Sequence, residues 1–358
     1  MKKWGLMLAL SMGVLPLAAC GGGPGASTGA GDGGDGAAAG IGGSTLQTVL
    51  DRGSLVCGVD GGIPGFSFVE DGQYSGLDVD VCKAVASALF DDPEAVEYRN
   101  LDSTERFEAM KGGEVDMLSR NTTWTISRDT SVGMEFGPTT FYDGQGMMVR
   151  TAEGLAELTD LEGRSICVET GTTTELNLTD QMRQAGVSFE PVVFQDADAA
   201  YAAYEEGRCD GMTSDKSQLI ARRSTLSNPD EHSLMEVTMS KEPLGPLTTN
   251  NDSAWFDTVK WVTYALIEAE ELGLTSENIE ATAESTEDPN ILRFVGKEGT
   301  LGTDMGLPND FAMRAVKNVG NYGEIFERNL GADSQFNLER GQNALWNDGG
   351  LLYSPPFR

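Results

Sequence analysis

Three stretches of this chain carry residues whose types and spacing suit the capture of a small ion bearing both signs of charge. The first is Arg120-Asn-Thr-Thr-Trp-Thr-Ile-Ser-Arg128. Arg128 offers a planar guanidinium that can hold a carboxylate through two parallel hydrogen bonds. Asn121 and Thr123 add a carbonyl, a hydroxyl and an amide. The second stretch, Gly171-Thr-Thr-Thr-Glu175, lies between a strand pattern and a helix pattern. Around Thr172 and Thr173 the backbone N–H groups of a helix start favour an anion. The third element is Asp215, a carboxylate for an ammonium group. Taken singly, each has an ordinary structural meaning: a surface ion pair, a helix cap, a turn residue. Their joint placement is what matters. The inventory also argues against catalysis, so no enzyme, cofactor or metal is expected. The chain has one histidine, His232, which leaves no convincing Ser-His or Cys-His pair and no metal-ligand spacing.

The elements that must position these groups repeat. Leu55 to Val59 is an apolar run bounded by glycine, which predicts a buried strand. Val81, Ala84, Val85, Ala88 and Leu89 fall on one helical face. A strand over Ala95 to Asn100, a helix around Thr104 to Lys111 and a strand over Val115 to Leu118 follow. The same plan recurs with strands over Ser165–Glu169, Pro191–Phe194 and Asp210–Thr213 and helices over Leu176–Ala185 and Ala197–Glu206. Gly113-Glu-Val-Asp116 and Gly207-Arg-Cys-Asp210 each close a helix and open a strand. Five residues beyond those aspartates stand Asn121 and Asp215, just past strand C-termini, where open α/β sheets bind ligands. Two such lobes facing each other make a cleft. A free α-amino acid, with its carboxylate beside its ammonium, matches that set of groups.

Lys2 and Lys3, the apolar run Trp4 to Leu17 and then Leu17-Ala18-Ala19-Cys20 have the layout of an export signal. The last four residues resemble a bacterial lipobox, which implies an acylated Cys20 and a membrane anchor. Residues 21–44 are roughly half glycine and read as a flexible tether with a reach of about 25–30 Å. With 25 Lys and Arg against 56 Asp and Glu, the net charge of −31 argues against nucleic acid as partner. Cys57, Cys82, Cys167 and Cys209 remain for disulfides in an exported protein. Three pairings are possible. Cys57–Cys82 with Cys167–Cys209 is favoured, because each bond then stays within one half of the repeat.

Five further stretches carry a family resemblance: Gly76-Leu-Asp-Val-Asp-Val-Cys82, Leu118 through Arg128 to Thr130, Tyr142-Asp-Gly-Gln-Gly146, Gly171-Thr-Thr-Thr-Glu-Leu-Asn177 and Lys241-Glu-Pro-Leu-Gly-Pro246. With them the chain resembles the periplasmic substrate-binding proteins of amino-acid ABC transporters, solute-binding protein family 3, in their general L-amino-acid (AapJ/BztA-like) branch. The resemblance implies a type II bilobal periplasmic binding protein fold, two α/β lobes joined by a two-strand hinge. It implies lobe 1 over residues 45–149 and 246–340, lobe 2 over 150–245 and a tail over 341–358, with hinge strands near Met148–Thr151 and Lys241–Leu247. Trp255 to Leu272 reads as a long helix closing the first lobe, and Gly349 to Arg358 as surface. By the resemblance Arg128 clamps the ligand carboxylate, helped by Thr123 and the Thr173 region. Asp215 takes the ammonium with Asn121 and Thr123, and Asp60 reads a cationic side chain. Ile63 or Phe66 stands where many relatives stack an aromatic ring on the ligand, and Trp124 could line the pocket instead. The expected partners are free L-amino acids, the membrane subunits of an ABC transporter and, through Cys20, the membrane itself; a monomer is expected. A dehydratase-like enzyme on the same scaffold, or a ligand-sensing receptor, are the competing readings.

Overall fold

The strand Leu55–Val59 is buried along its whole length and runs parallel to Val96–Asn100 on one side and Met117–Leu118 on the other. Continuously apolar strands of this kind belong in parallel sheets covered on both faces. Leu247–Thr249 returns from much later in the chain and lies antiparallel between Met117–Leu118 and Met134–Phe136, completing a five-stranded sheet. The computed structural model describes residues 44–358 of the chain; the export segment with Cys20 and the tether up to residue 43 lie outside the described residues.

A second five-stranded sheet repeats this plan. Glu190–Phe194, Ser165–Glu169 and Gly211–Asp215 are parallel, and Gln145–Arg150 runs antiparallel between Gly211–Asp215 and His232–Leu234. The repeated Gly-x-x-Asp phrase does the same work in both lobes. Gly113 and Gly207 take left-handed φ values of 70° and 82°, which glycine adopts without a Cβ penalty. The Asp116 carboxylate accepts the Val56 amide at 2.7 Å, and the Asp210 carboxylate accepts the Ser165 amide at 2.8 Å. Each aspartate therefore ties the start of its own strand to the start of the neighbouring parallel one.

The connection between lobes differs from the expected one. Phe141–Asp143 and Glu242–Leu244 pair antiparallel as a two-stranded sheet of their own, in register Asp143 opposite Glu242. The expected exit near Met148–Thr151 falls at the end of Gln145–Arg150, which is a strand of the second sheet. Its Met147, Met148 and Val149 are fully buried in that lobe's cores. The crossing thus comes several residues before the expected boundary at 149–150. A strand buried on both faces shows the same apolar run whichever sheet it joins.

Cys57–Cys82 ties the strand Leu55–Val59 to the helix Leu77–Phe90, and Cys167–Cys209 ties the strand Ser165–Glu169 to the entry of Gly211–Asp215. With sequence separations of 25 and 42, each cross-link is worth about 3–4 kcal/mol by loop entropy. The helix Ser253–Glu271 is capped by Asp252, whose carboxylate accepts the Trp255 amide. It buries Trp255, Val259, Val262, Leu266 and Ala269 on one face, at the spacing of an amphipathic helix. The end of the chain is exposed at Gly349, Leu351, Tyr353, Pro356 and Arg358, but not throughout. Phe357 is not on the surface; it packs against Trp261 and Phe294 at ring distances of 5.4 and 5.3 Å. Two prolines keep that segment irregular, but its phenylalanine completes the first lobe's core.

Candidate functional site

The cleft is built from strand ends. Asp78, in the first turn of the helix Leu77–Phe90, is buried, and its carboxylate accepts the Asn121 amide at 2.9 Å and the Ser119 hydroxyl at 3.4 Å. Burial pushes its carboxyl up to about 6. This anchor holds Asn121 at φ 43°, a left-handed conformation that asparagine tolerates better than most residues. The Asn121 side chain then donates to Asp215 of the facing lobe at 3.4 Å. Asp215 ends the strand Gly211–Asp215. Burial first, then the Asp143 and Glu242 carboxylates, drives its carboxyl well above the usual range, with Arg128 and Arg106 opposing.

Arg128 stands on the short helix Ile126–Thr130, whose cap is the Thr125 hydroxyl. One Nη donates to the Thr123 carbonyl at 2.8 Å, and the guanidinium lies 5.4 Å from the Phe107 ring centroid. Burial lowers Arg128 to about 10, while Glu242 and Asp215 hold it up. Across the cleft Thr172 caps the helix Thr173–Ala185. The Thr173 hydroxyl meets that of Thr123 at 3.3 Å and donates to Glu242 on the connecting strand at 2.8 Å. Asp60 and Arg120 form a buried ion pair at 2.6 Å, and Arg120 also donates to the Leu101 carbonyl at 2.6 Å.

Asp60, Asn121, Thr123, Arg128, Thr172, Thr173 and Asp215 therefore line one pocket together with Ile63. Two expected residues do not. Phe66 is fully buried in the first lobe's core, edge-on to Phe141 at 5.1 Å. Trp124 is 46% exposed, stacked on Phe136 at 6.2 Å with its indole N–H donating to Asp129. Ile63 alone of these candidates faces the pocket, so no aromatic ring among the described residues stacks there. Conversely, Arg106, Glu169, Ser103, Ser214 and Gln218 line the pocket without having been singled out. Their one sequence signal is position, since Glu169 ends a strand that precedes the Gly171-Thr-Thr-Thr stretch.

The lobes are closed. The space left inside is about 30 Å³, room for one or two waters, so a solute enters only when the lobes part. Hydrogen bonds crossing the cleft include Asn121–Asp215 at 3.4 Å, Thr123–Thr173 at 3.3 Å, Arg106–Gly171 at 3.5 Å and, at the rim, Gln195–Thr104 at 3.0 Å. Most are long and hence weak. Inside, one oxygen each of Asp215 and Asn121 is buried with no hydrogen-bond partner among the described residues, a costly state for an acceptor. Beyond Asp60, Arg120 and Glu169, an outer cavity of about 320 Å³ continues between the lobes. The arrangement can bind a zwitterion: a guanidinium and helix-start amides for the anion, two free acceptors for the cation.

Comparison with known proteins agrees with that geometry. The general L-amino acid-binding periplasmic protein AapJ of Rhizobium johnstonii is 50% identical over 88% of this chain and 93% of its own length. The glutamate/glutamine/aspartate/asparagine-binding protein BztA of Rhodobacter capsulatus is 46% identical over 88% of this chain and 94% of its own. Among solved structures, a periplasmic binding protein of an ABC transporter from Brucella ovis, with glutathione bound, superposes with a TM-score of 0.86 at 48% identity, covering 88% of this chain and 99% of that one. The model of the bacterial extracellular solute-binding proteins, family 3, matches residues 55–277. On the fold, the paired lobes and these matches, the chain belongs to the bacterial extracellular solute-binding proteins of family 3.

Proposed function

We propose that this protein captures free L-amino acids of several kinds by closure of its two lobes and delivers them to an ABC importer, as a receptor rather than an enzyme. The observation that carries this reading is the pair of unpartnered buried acceptors, on Asp215 and Asn121, set in one pocket with Arg128. An ammonium answers the acceptors and a carboxylate answers the guanidinium. Because Asn121 and Arg128 stand on one lobe and Asp215 and the helix-start amides on the other, one ligand that satisfies both sets at once favours the closed form. The names of AapJ and BztA support the amino-acid class. Ile63 in place of an aromatic ring supports breadth.

A larger ligand is the second reading. The outer cavity shares Asp60, Arg120 and Glu169 with the inner pocket, and the Brucella ovis relative carries glutathione. Calorimetric titration of the purified protein with an acidic, an amide, an apolar and a cationic amino acid, and with glutathione, tests both. Binding of several amino acids is the expected result; heat from glutathione alone would favour the second reading, and heat from none would sink both. Cys20 is proposed as the lipid-bearing first residue of the mature protein, on the Leu17-Ala18-Ala19-Cys20 pattern. Mass spectrometry of the mature N-terminal peptide checks it, and an unmodified Cys20 overturns it.

A further inference from the structure

We propose that Asn343, near the end of the chain, is a positioning residue of the hinge: it holds the connecting strand Phe141–Asp143 to the first lobe and so fixes where the two lobes pivot. The role presupposes the lobe closure proposed above, and Asn343 lies well beyond residues 55–277, the part that the family model matches. The grip on each connecting strand changes from one residue to the next. Asp143 is held by the second lobe: its carboxylate accepts the Ser217 amide at 3.1 Å, and the Gly144 carbonyl accepts the Lys216 amide at 2.8 Å. Tyr142 is held by the first. Its amide donates to the Asn343 side-chain oxygen at 2.6 Å, and its carbonyl accepts the Asn343 side-chain NH₂ at 3.2 Å. On the other strand Glu242 accepts from Thr173 at 2.8 Å and Asn177 at 3.0 Å, both of the second lobe. The Pro243 carbonyl instead accepts the Trp124 amide of the first lobe at 2.8 Å. Asp143 stands opposite Glu242, and Tyr142 opposite Pro243. Both strands therefore pass between lobes at the same rung, and the pivot falls between these two rungs.

Alternate residues of an antiparallel pair turn their N–H and C=O outward, and the proline opposite Tyr142 has no N–H to offer. That open edge is a place for a third strand. The Asn343 amide, with its donor and acceptor in one plane, fills it as a peptide group would. Its own placement is built from the first lobe. Leu345, Leu352 and Phe357 of the same segment belong to that lobe's core. Arg340 donates through Nε to the Asn343 carbonyl at 2.8 Å, while its Nη atoms grip Glu270 of the helix Ser253–Glu271 at 3.0 and 3.1 Å. The Arg340 guanidinium lies 5.1 and 5.0 Å from the Tyr322 and Phe326 ring centroids. The Tyr322 hydroxyl in turn donates to the Thr140 carbonyl at 2.7 Å, and Phe326 stacks on Phe141 at 6.4 Å. Thr140, Phe141 and Tyr142 are thus each tied to the first lobe by the last part of the chain. Freed of Asn343, Tyr142 joins the bend. The open form then gains backbone conformers that the closed form cannot use, and the closed form is less populated.

The experiment reads affinity for glutamate, glutamine and leucine by calorimetry and the ligand-free radius of gyration by small-angle X-ray scattering. Wild type is compared with Asn343→Ala, Asn343→Asp and Phe357→Leu, with thermal unfolding alongside. Asn343→Asp keeps an acceptor for the Tyr142 amide but sets a carboxylate oxygen against the Tyr142 carbonyl. Phe357→Leu loosens the same segment where it packs on Trp261 and Phe294, away from the hinge. Both Asn343 variants are expected to lose affinity for every amino acid that binds the wild type by one common factor, roughly three- to tenfold, and to have the larger ligand-free radius. Phe357→Leu should unfold at a lower temperature with affinity and radius unchanged. Tyr322→Phe, which removes only the hydrogen bond to Thr140, replaces the Asn343 variants if they do not fold, and should shift both readouts the same way. A loss that differs between ligands, wild-type affinity and radius in the hinge variants, or the same changes in Phe357→Leu overturns the assignment. The radius is read with no amino acid present, so a wild type that binds none would defeat the parent reading while the hinge role still stands or falls on the scattering.

Discussion

Arg128→Ala is expected to weaken binding of every amino acid ligand by at least a hundredfold, with little change in the ranking among them. The guanidinium is 7% exposed and spends one hydrogen bond on the Thr123 carbonyl at 2.8 Å, which fixes its fork in place before any ligand arrives. Removing one partner of a buried, hydrogen-bonded charge pair costs about 2–5 kcal/mol, or roughly 30- to several-thousandfold in Kd. The upper part of that range applies here for two reasons. The ligand carboxylate would be left buried, and Glu242 and Asp215, which now hold the guanidinium charged, would lose their countercharge. Arg128→Lys should recover only part of the loss, because an ammonium cannot reproduce two parallel hydrogen bonds. Isothermal calorimetry across an amino-acid panel reads the effect directly. Wild-type affinity in Arg128→Ala would refute the carboxylate clamp.

How far the site was legible in advance follows from how locally each residue is specified. Asn121 and Asp215 could be paired because the same Gly-x-x-Asp phrase precedes both at the same distance, and the phrase has a mechanical cause in the Val56 and Ser165 amides that its aspartates bind. Arg128 was visible through its spacing from Asn121 and Thr123. Arg106 was not, since an arginine at the start of a six-residue helix looks like any surface charge, and its burial depends on Gly171 approaching from the other lobe. Glu242 lies within the Lys241–Pro246 stretch, and nothing in its own spacing marks it. Its role rests on a register with Asp143 and on Thr173 and Asn177 reaching it from a distant helix. Phe66 and Trp124 show the complementary difficulty. Both stand close in sequence to pocket residues, yet one turns into the core and the other outward. A turn between two short strands decides the first and an irregular segment before a short helix the second, and neither leaves a mark in composition.

Ligand binding is expected to release protons, and Asp215 is the principal source. In the ligand-free pocket burial and the neighbouring Asp143 and Glu242 raise its carboxyl well above the usual value. An ammonium placed against the unpartnered Asp215 oxygen favours the ionised form and lowers that value again. The sign is then set. Between the bound and free pKa values the complex holds fewer protons than the free protein, so affinity rises with pH through that window and levels off above the free value. The same shift acts oppositely on folding. The raised carboxyl contributes stability that is fully present below its unfolded value and is lost as pH rises through the folded one. The ligand-free protein therefore holds either a buried carboxylate crowded by Asp143 and Glu242 or a proton that the ligand must displace, and ammonium binding relieves that tension. Titrations in two buffers of unlike ionisation enthalpy at one pH give the number of protons released. Asp215→Asn should abolish most of that release and cost at least a hundredfold in affinity, because an amide cannot neutralise the ammonium. Proton uptake in the wild type, or undiminished release in Asp215→Asn, would remove Asp215 from the ammonium site.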